Sequence, residues 1–163
     1  HRDLHSFPTR RSSDLHLDAS KQTIDWAKEN QEISGMKDLP MRVIVDDAMK
    51  FIEREIKRGN KYDALVMDPP KFGRGPNGEV WKIEKNFGIL LSKVKQILSD
   101  NPLFIIVTSY ATEASSLSLG HALKDLMKDY KGEIEMGELC VLEKSSGKVI
   151  SLANTAIWTS SIK

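Results

Sequence analysis

Asp68-Pro69-Pro70-Lys71-Phe72 is the stretch whose residue types speak most directly of chemistry. Two consecutive prolines fix φ and remove two backbone donors, so the turn's carbonyls stay free to accept hydrogen bonds. The carboxylate of Asp68 adds a charged acceptor beside them. Such a rigid acceptor cluster suits an exocyclic NH₂ or a ring nitrogen held for attack. Phe72 offers a flat face for stacking on a base, and Lys71 or Arg74 a cation for a phosphate. A rigid turn with a capping aspartate would use the same residues. What favours chemistry is position: the motif directly follows an apolar run and is the third in a series of acid-ended runs.

The other two members of that series are Asp18 and the pair Asp46-Asp47, the latter followed by the small Ala48. A carboxylate at a strand end matches a vicinal diol such as that of a ribose. A second one, beside a small residue, can accept from an adenine amine, and Asp47 is the better placed of the pair. Both positions also suit a helix N-cap. The fourth apolar run ends in Thr108-Ser109-Tyr110 in place of an acid.

The elements that would position these residues alternate along the chain. Residues 16–17 end a strand, 20–34 read as a helix with Ile24, Ala27 and Ile33 near one face, and Gly35 stops it. Residues 41–45 are a strand and 48–58 a helix with Met49, Ile52 and Ile56 inward. A buried strand at 64–67 precedes a polar loop holding Gly73, Gly75 and Gly78. A helix over about 83–98, an apolar central strand at 103–107 and a helix over 117–130 follow. Two final strands, 134–142 and 153–159, form a hairpin at the sheet edge. The pattern predicts an α/β sandwich around a mostly parallel sheet ending in an antiparallel hairpin, with ligands beyond the carboxyl ends of the strands.

Residues 1–15, HRDLHSFPTRRSSDL, lack either period and resemble one reading frame of a translated DNA-sequencing adapter. They are set apart as a non-native segment, leaving 16–163 as the domain. Three arginines and two aspartates removed from 24 basic and 23 acidic residues leave 21 of each. The net charge of the domain is then zero, so bulk electrostatics give no argument for nucleic-acid binding. No apolar run reaches membrane-spanning length, and no secretory signal is visible, so no membrane is expected. The single cysteine, Cys140, excludes an internal disulfide and makes a reducing, cytoplasmic setting the default. His16 and His121 match no ligand spacing, and no metal is expected.

Three strings carry a family resemblance: HLDASKQTIDWAKEN, VDDAMKFIEREIKRGNKYD and YDALVMDPPKFGRGPNGEVWKIEKN. Together they resemble class I S-adenosylmethionine-dependent methyltransferases of the bacterial 23S rRNA (cytosine-C5) type, from His16 to about Trp158. The resemblance implies a Rossmann-like sandwich with S-adenosyl-L-methionine as cofactor. Asp18 and Ser20 would lie at its ribose, with Asp46, Asp47 and Ala48 about its adenine. Asp68, Pro69 and Pro70 would face the methyl group and substrate, with Lys71, Phe72, Arg74 and Tyr110 as further substrate contacts. It also implies that the first strand and glycine-rich loop, which would precede His16, are missing. The chain as written is therefore expected to fold marginally and to bind the cofactor poorly.

One departure bears on the reaction. Cytosine-C5 members place a cysteine after the strand that here ends Thr108-Ser109-Tyr110, because carbon 5 must be activated by covalent attack. Cys140 is expected to be a small buried residue of an edge strand. Transfer to a nitrogen or oxygen needs no thiol. The expected function is methyl transfer to an RNA (rRNA) base, with RNA as the partner resting on the resemblance. The alternatives are a methyltransferase acting on a protein or small molecule, and a non-catalytic Rossmann-like RNA-binding module. Gly73 to Gly78 lacks the ending of a phosphate-binding P-loop and reads as a substrate loop, with Trp81 pinning it or touching substrate. Oligomeric state is not encoded in any of these features.

Overall fold

The computed structural model describes residues 14–75, 77–110 and 112–161. They fall into two compact units, His1–Ala48 and Met49–Lys163. Residues 1–13, most of the segment set apart above, lie outside the described residues.

In the first unit β1 (Asp14–Asp18) and β2 (Met41–Val45) pair in parallel, Asp14 opposite Met41 through Asp18 opposite Val45. Asp14 and Leu15 thus continue the strand two residues into the segment set apart. Ladder hydrogen bonds come from the backbone, so they place few demands on side-chain identity. The strands are joined by α1 (Lys21–Ile33), which starts where the Ser20 side chain accepts from the Thr23 amide and ends before Gly35 at φ 70°. Of its expected inner face, Ile24 is buried, but Ile33 is 76% exposed. It lies in the last turn of the helix.

The helix α2 (Ala48–Arg58), all but its first residue in the second unit, stops at Gly59, whose φ is 68°. It buries Phe51 and Ile52, and also Glu55, where the 3.6-residue pattern had placed Ile56 inward. The Glu55 carboxylate accepts from Arg58 Nη1 at 2.9 Å, Asn60 Nδ2 at 2.7 Å and Tyr62 Oη at 2.6 Å. Those three donors fix the exit from α2 into β3 (Ala64–Met67).

Residues 72–82, expected as a loop, instead form a short hairpin of β4 (Phe72–Arg74) and β5 (Val80–Lys82). Three-residue strands are too short to show a period, and the glycines that read as a loop make the turn: Gly78 donates to the Gly75 carbonyl at 3.1 Å.

Next come α3 (Ile83–Ile97), β6 (Phe104–Ser109), α4 (Ser116–Leu126), β7 (Gly132–Leu142) and β8 (Val149–Ser160). The sheet order is β3-β6-β8-β7, with β3 parallel to β6, and β8 antiparallel to both its neighbours. The last strand therefore lies inside the sheet and β7 forms its edge.

Alternation along β6 buries Ile105, Val107 and Ser109, in register with Trp158, Ala156 and Asn154 of β8. Against this face lies α4, through Leu119, Leu123 and Leu126, and α3 buries Leu90, Leu91, Val94 and Ile97. Each such side chain contributes about 1.5–3 kcal/mol of transfer free energy. Tyr130 meets Trp158 edge-on at 6.2 Å.

Cys140 corrects an expectation: it is exposed. Only residues 154–159 of β8 pair with β6, so the outer part of the β7–β8 hairpin stands beyond the sheet as a two-stranded arm, with neither face covered. No helix among the described residues is long and apolar enough to cross a membrane.

Candidate functional site

Parallel strands end on the same side of their sheet, and their carboxyl ends carry the acids singled out in the sequence. In the first unit, Asp18 ends β1 and Asp46 follows its neighbour β2. The Asp46 amide donates to the Asp18 carbonyl at 3.0 Å, holding the two strand tips together. Asp18 Oδ1 accepts the Ser20 amide at 2.7 Å, and Asp46 Oδ1 accepts the Asp47 amide at 2.8 Å. Both carboxylates are thus oriented by local backbone donors. Ser20, which the resemblance placed at a ribose, has its hydroxyl engaged as the cap of α1. Asp18, Asp46 and Asp47 are half-buried, while Ser20 and Ala48 are exposed.

In the second unit Asp68 follows β3. Its Oδ1 accepts the Thr108 hydroxyl at 2.6 Å, from the end of β6. Asp68 and Pro70 are exposed, and Pro69 is buried. Not all the turn's carbonyls remain free. The Pro70 carbonyl accepts the Trp81 indole N–H at 2.6 Å, and the Lys71 carbonyl accepts the Ile83 amide at 3.1 Å. Trp81 therefore pins the turn, where the sequence reading had it pinning the neighbouring 73–78 loop or touching substrate. Lys71 and Arg74 are exposed, Phe72 is 52% exposed on β4 and Tyr110 47% exposed after β6. They are placed as surface groups around the turn's own elements.

The hairpin has a second fastening that sequence reading missed. Glu79 accepts from Lys50 of α2 and from the Asn77 amide. The Lys50 bond, followed by the amides of Glu79 itself and of Asn77, holds the Glu79 carboxyl down at about 2. The partners are 29 residues apart and belong to no common period.

Two arrangements result. The first unit presents two oriented carboxylates on adjoining strand tips, a donor-accepting set that fits the diol and amine of a nucleoside. The second presents one fixed carboxylate on a clamped, donor-poor turn. Ser109 is buried, with its hydroxyl 2.7 Å from that of Thr112. A cavity of about 280 Å³, lined by Ile83, Phe87, Thr112, Glu113 and Leu119 among others, includes none of the candidate site residues named from the sequence. Among the described residues no group of His, Cys, Asp or Glu is placed to hold a metal ion.

This is the α/β, Rossmann-like fold of class I methyltransferases. The chain superimposes on an S-adenosylmethionine-dependent methyltransferase from Agrobacterium tumefaciens with a TM-score of 0.84 and 39% identity, over 90% of this chain and 49% of that one. A second solved chain, crystallised with S-adenosylhomocysteine, shares the fold at TM-score 0.67 and 19% identity, over 91% of this chain and 39% of that one. In sequence, the chain is 27% identical over 116 residues to ribosomal RNA large subunit methyltransferase K of Neisseria meningitidis, covering 69% of this chain and 32% of that protein. It is 38% identical over 56 residues to methyltransferase I of the same class from Klebsiella pneumoniae, covering 34% and 14%. The chain thus spans about a third of the first curated relative's length and about half of the Agrobacterium chain's. No protein-family model matches it.

Proposed function

We propose that this chain carries the catalytic part of an S-adenosylmethionine-dependent methyltransferase that modifies a base of large-subunit ribosomal RNA. The observation that carries the reading is the Asp68-Pro69-Pro70 turn at the carboxyl end of β3, with its carboxylate fixed by Thr108. The named relatives act on ribosomal RNA of the large subunit, and this supports RNA as the substrate class. The cofactor supplies a methyl group already activated on a sulfonium. Asp18 binds the ribose diol through the oxygen that Ser20 does not occupy, and Asp46 or Asp47 accepts from the adenine amine. Asp68 and the Pro69 carbonyl accept from the substrate's N–H or O–H and aim its lone pair, and proximity provides most of the acceleration.

The acceptor in this reading is a nitrogen or oxygen. Where the cytosine-C5 type needs a thiol, this chain has Ser109, buried with its hydroxyl bonded to Thr112. Cys140 stands exposed on the hairpin arm. A cytoplasmic setting, a domain of 16–163 and a non-native origin for 1–15 belong to the same proposal.

The test uses the intact protein with labelled cofactor and an unmodified large-subunit ribosomal RNA transcript. Wild type transfers label to RNA, and Asp68→Ala abolishes transfer while calorimetry shows unchanged cofactor affinity. Absence of cofactor binding by wild type sinks the enzyme reading, and label transferred to protein but not RNA sinks the RNA one.

A further inference from the structure

Aspartates at strand ends and in turns commonly bond to backbone amides one or two residues on. Asp18 does so through Ser20 and Asp46 through Asp47. Asp68 has no such option, because residues 69 and 70 are prolines and carry no N–H. The turn that makes its carbonyls available also strips its carboxylate of local partners. An exposed carboxylate with no partner samples several rotamers, and fixing it on binding costs conformational entropy.

Thr108 supplies the missing partner. Val66 pairs with Ile106 and Met67 with Val107, so the next step of the register sets Asp68 beside Thr108. Parallel neighbours at one level project to the same face of a sheet. The hydroxyl donates, the carboxylate accepts, and the 2.6 Å separation is typical of a charge-assisted O–H···O⁻ bond. Threonine is β-branched and stiff at χ1, so its oxygen is positioned by β6 itself. Thr108 is half-buried, and its neighbour in the register on the other side, Thr155, bonds the Val107 carbonyl at 3.2 Å, holding this end of the strand in place.

We infer that Thr108 is the positioning residue of the catalytic carboxylate: it holds Asp68 Oδ1 so that Oδ2 meets a single N–H of the acceptor. This rests on the methyltransferase reading and extends it to a residue that touches neither substrate nor cofactor. Its effect should fall on kcat, where orientation acts, and not on cofactor binding.

The experiment compares Thr108→Val, which keeps the shape and loses the donor, with Thr108→Ser, which keeps the donor. In the intact protein, with labelled cofactor and the ribosomal RNA transcript, T108V is expected to lower kcat by about 10- to 100-fold, with KM and cofactor affinity unchanged. T108S returns most of the loss. A T108V enzyme with wild-type kcat overturns the assignment, and so does equal impairment of T108V and T108S. A second measurement needs no substrate. Three-bond couplings to the Asp68 carboxyl carbon should report one χ1 rotamer in wild type and T108S, and averaging in T108V. If wild type transfers no methyl group, the RNA reading fails, and the assignment is decided by these couplings alone: one fixed rotamer in T108V overturns it.

Discussion

Trp81 donates its indole N–H to the Pro70 carbonyl at 2.6 Å, so the second strand of the 72–82 hairpin is bonded to the turn that carries Asp68. Trp81→Phe keeps an aromatic ring and removes only the donor. Because Pro70 is exposed, water can replace the lost partner, and urea unfolding should show a loss of about 0.5–1.5 kcal/mol. Methyl transfer should fall as well, by about tenfold in kcat, since the acceptor turn loses one of the bonds that clamp it. Unaltered transfer in this variant would show that the Trp81 bond is not needed to hold the turn.

The other end of the hairpin is fastened by charge. Bonding to Lys50, then to backbone amides, holds Glu79 at about 2 against an ordinary 4.5. The folded value lies below the unfolded one, so this contribution is complete above about 4.5 and is lost as pH falls through about 2. Carboxyl carbon NMR should therefore give Glu79 a midpoint near 2, moving toward 4.5 in Lys50→Met. A midpoint that does not move with Lys50 would remove the ion pair as the cause.

Much of this architecture can be read locally, and the exceptions share a cause. The bounds of α2 and β3 follow from adjacent stop signals, Gly59 for the helix and Pro69 for the strand. Strands β4 and β5 are three residues each, shorter than any period that could announce them. Alternation told which residues share a face of β7 but not whether anything covers that face, and Cys140 was misplaced for that reason. Asp68 stood out as a candidate from its prolines. Its partner Thr108 lies 40 residues away, brought there by a strand pairing that no local pattern encodes.

Glu55 is a stability prediction independent of function. Burial pushes its carboxyl up, but bonds from Tyr62, Asn60 and Arg58 outweigh that and leave it below the usual carboxylate range. Glu55→Gln replaces one acceptor oxygen with an NH₂ that faces donors, which should cost about 1–3 kcal/mol in urea unfolding at pH 7. A lowered folded value makes the contribution present above the ordinary carboxylate range and lost on acidification. Wild type should then lose more stability than Glu55→Gln between neutral pH and pH values below that range. Parallel pH profiles for the two proteins would count against the three-donor account.

Asp18 separates a binding role from a purely structural one. Its Oδ1 is engaged by the Ser20 amide, and that bond alone would explain an aspartate at this position. If its other oxygen and its charge also serve a ribose diol, Asp18→Ala removes charge-assisted hydrogen bonds worth about 1.5–3 kcal/mol each. Calorimetric affinity for S-adenosylmethionine should then drop by at least about tenfold. Ser20→Ala is the control: it removes the cap of α1, costing about 1 kcal/mol of stability, and leaves the Asp18 carboxylate and its amide donor in place. The expected pattern is a melting-temperature loss in both variants and an affinity loss in Asp18→Ala only. Equal affinities in the two would reduce Asp18 to a turn residue and move the ribose contact elsewhere.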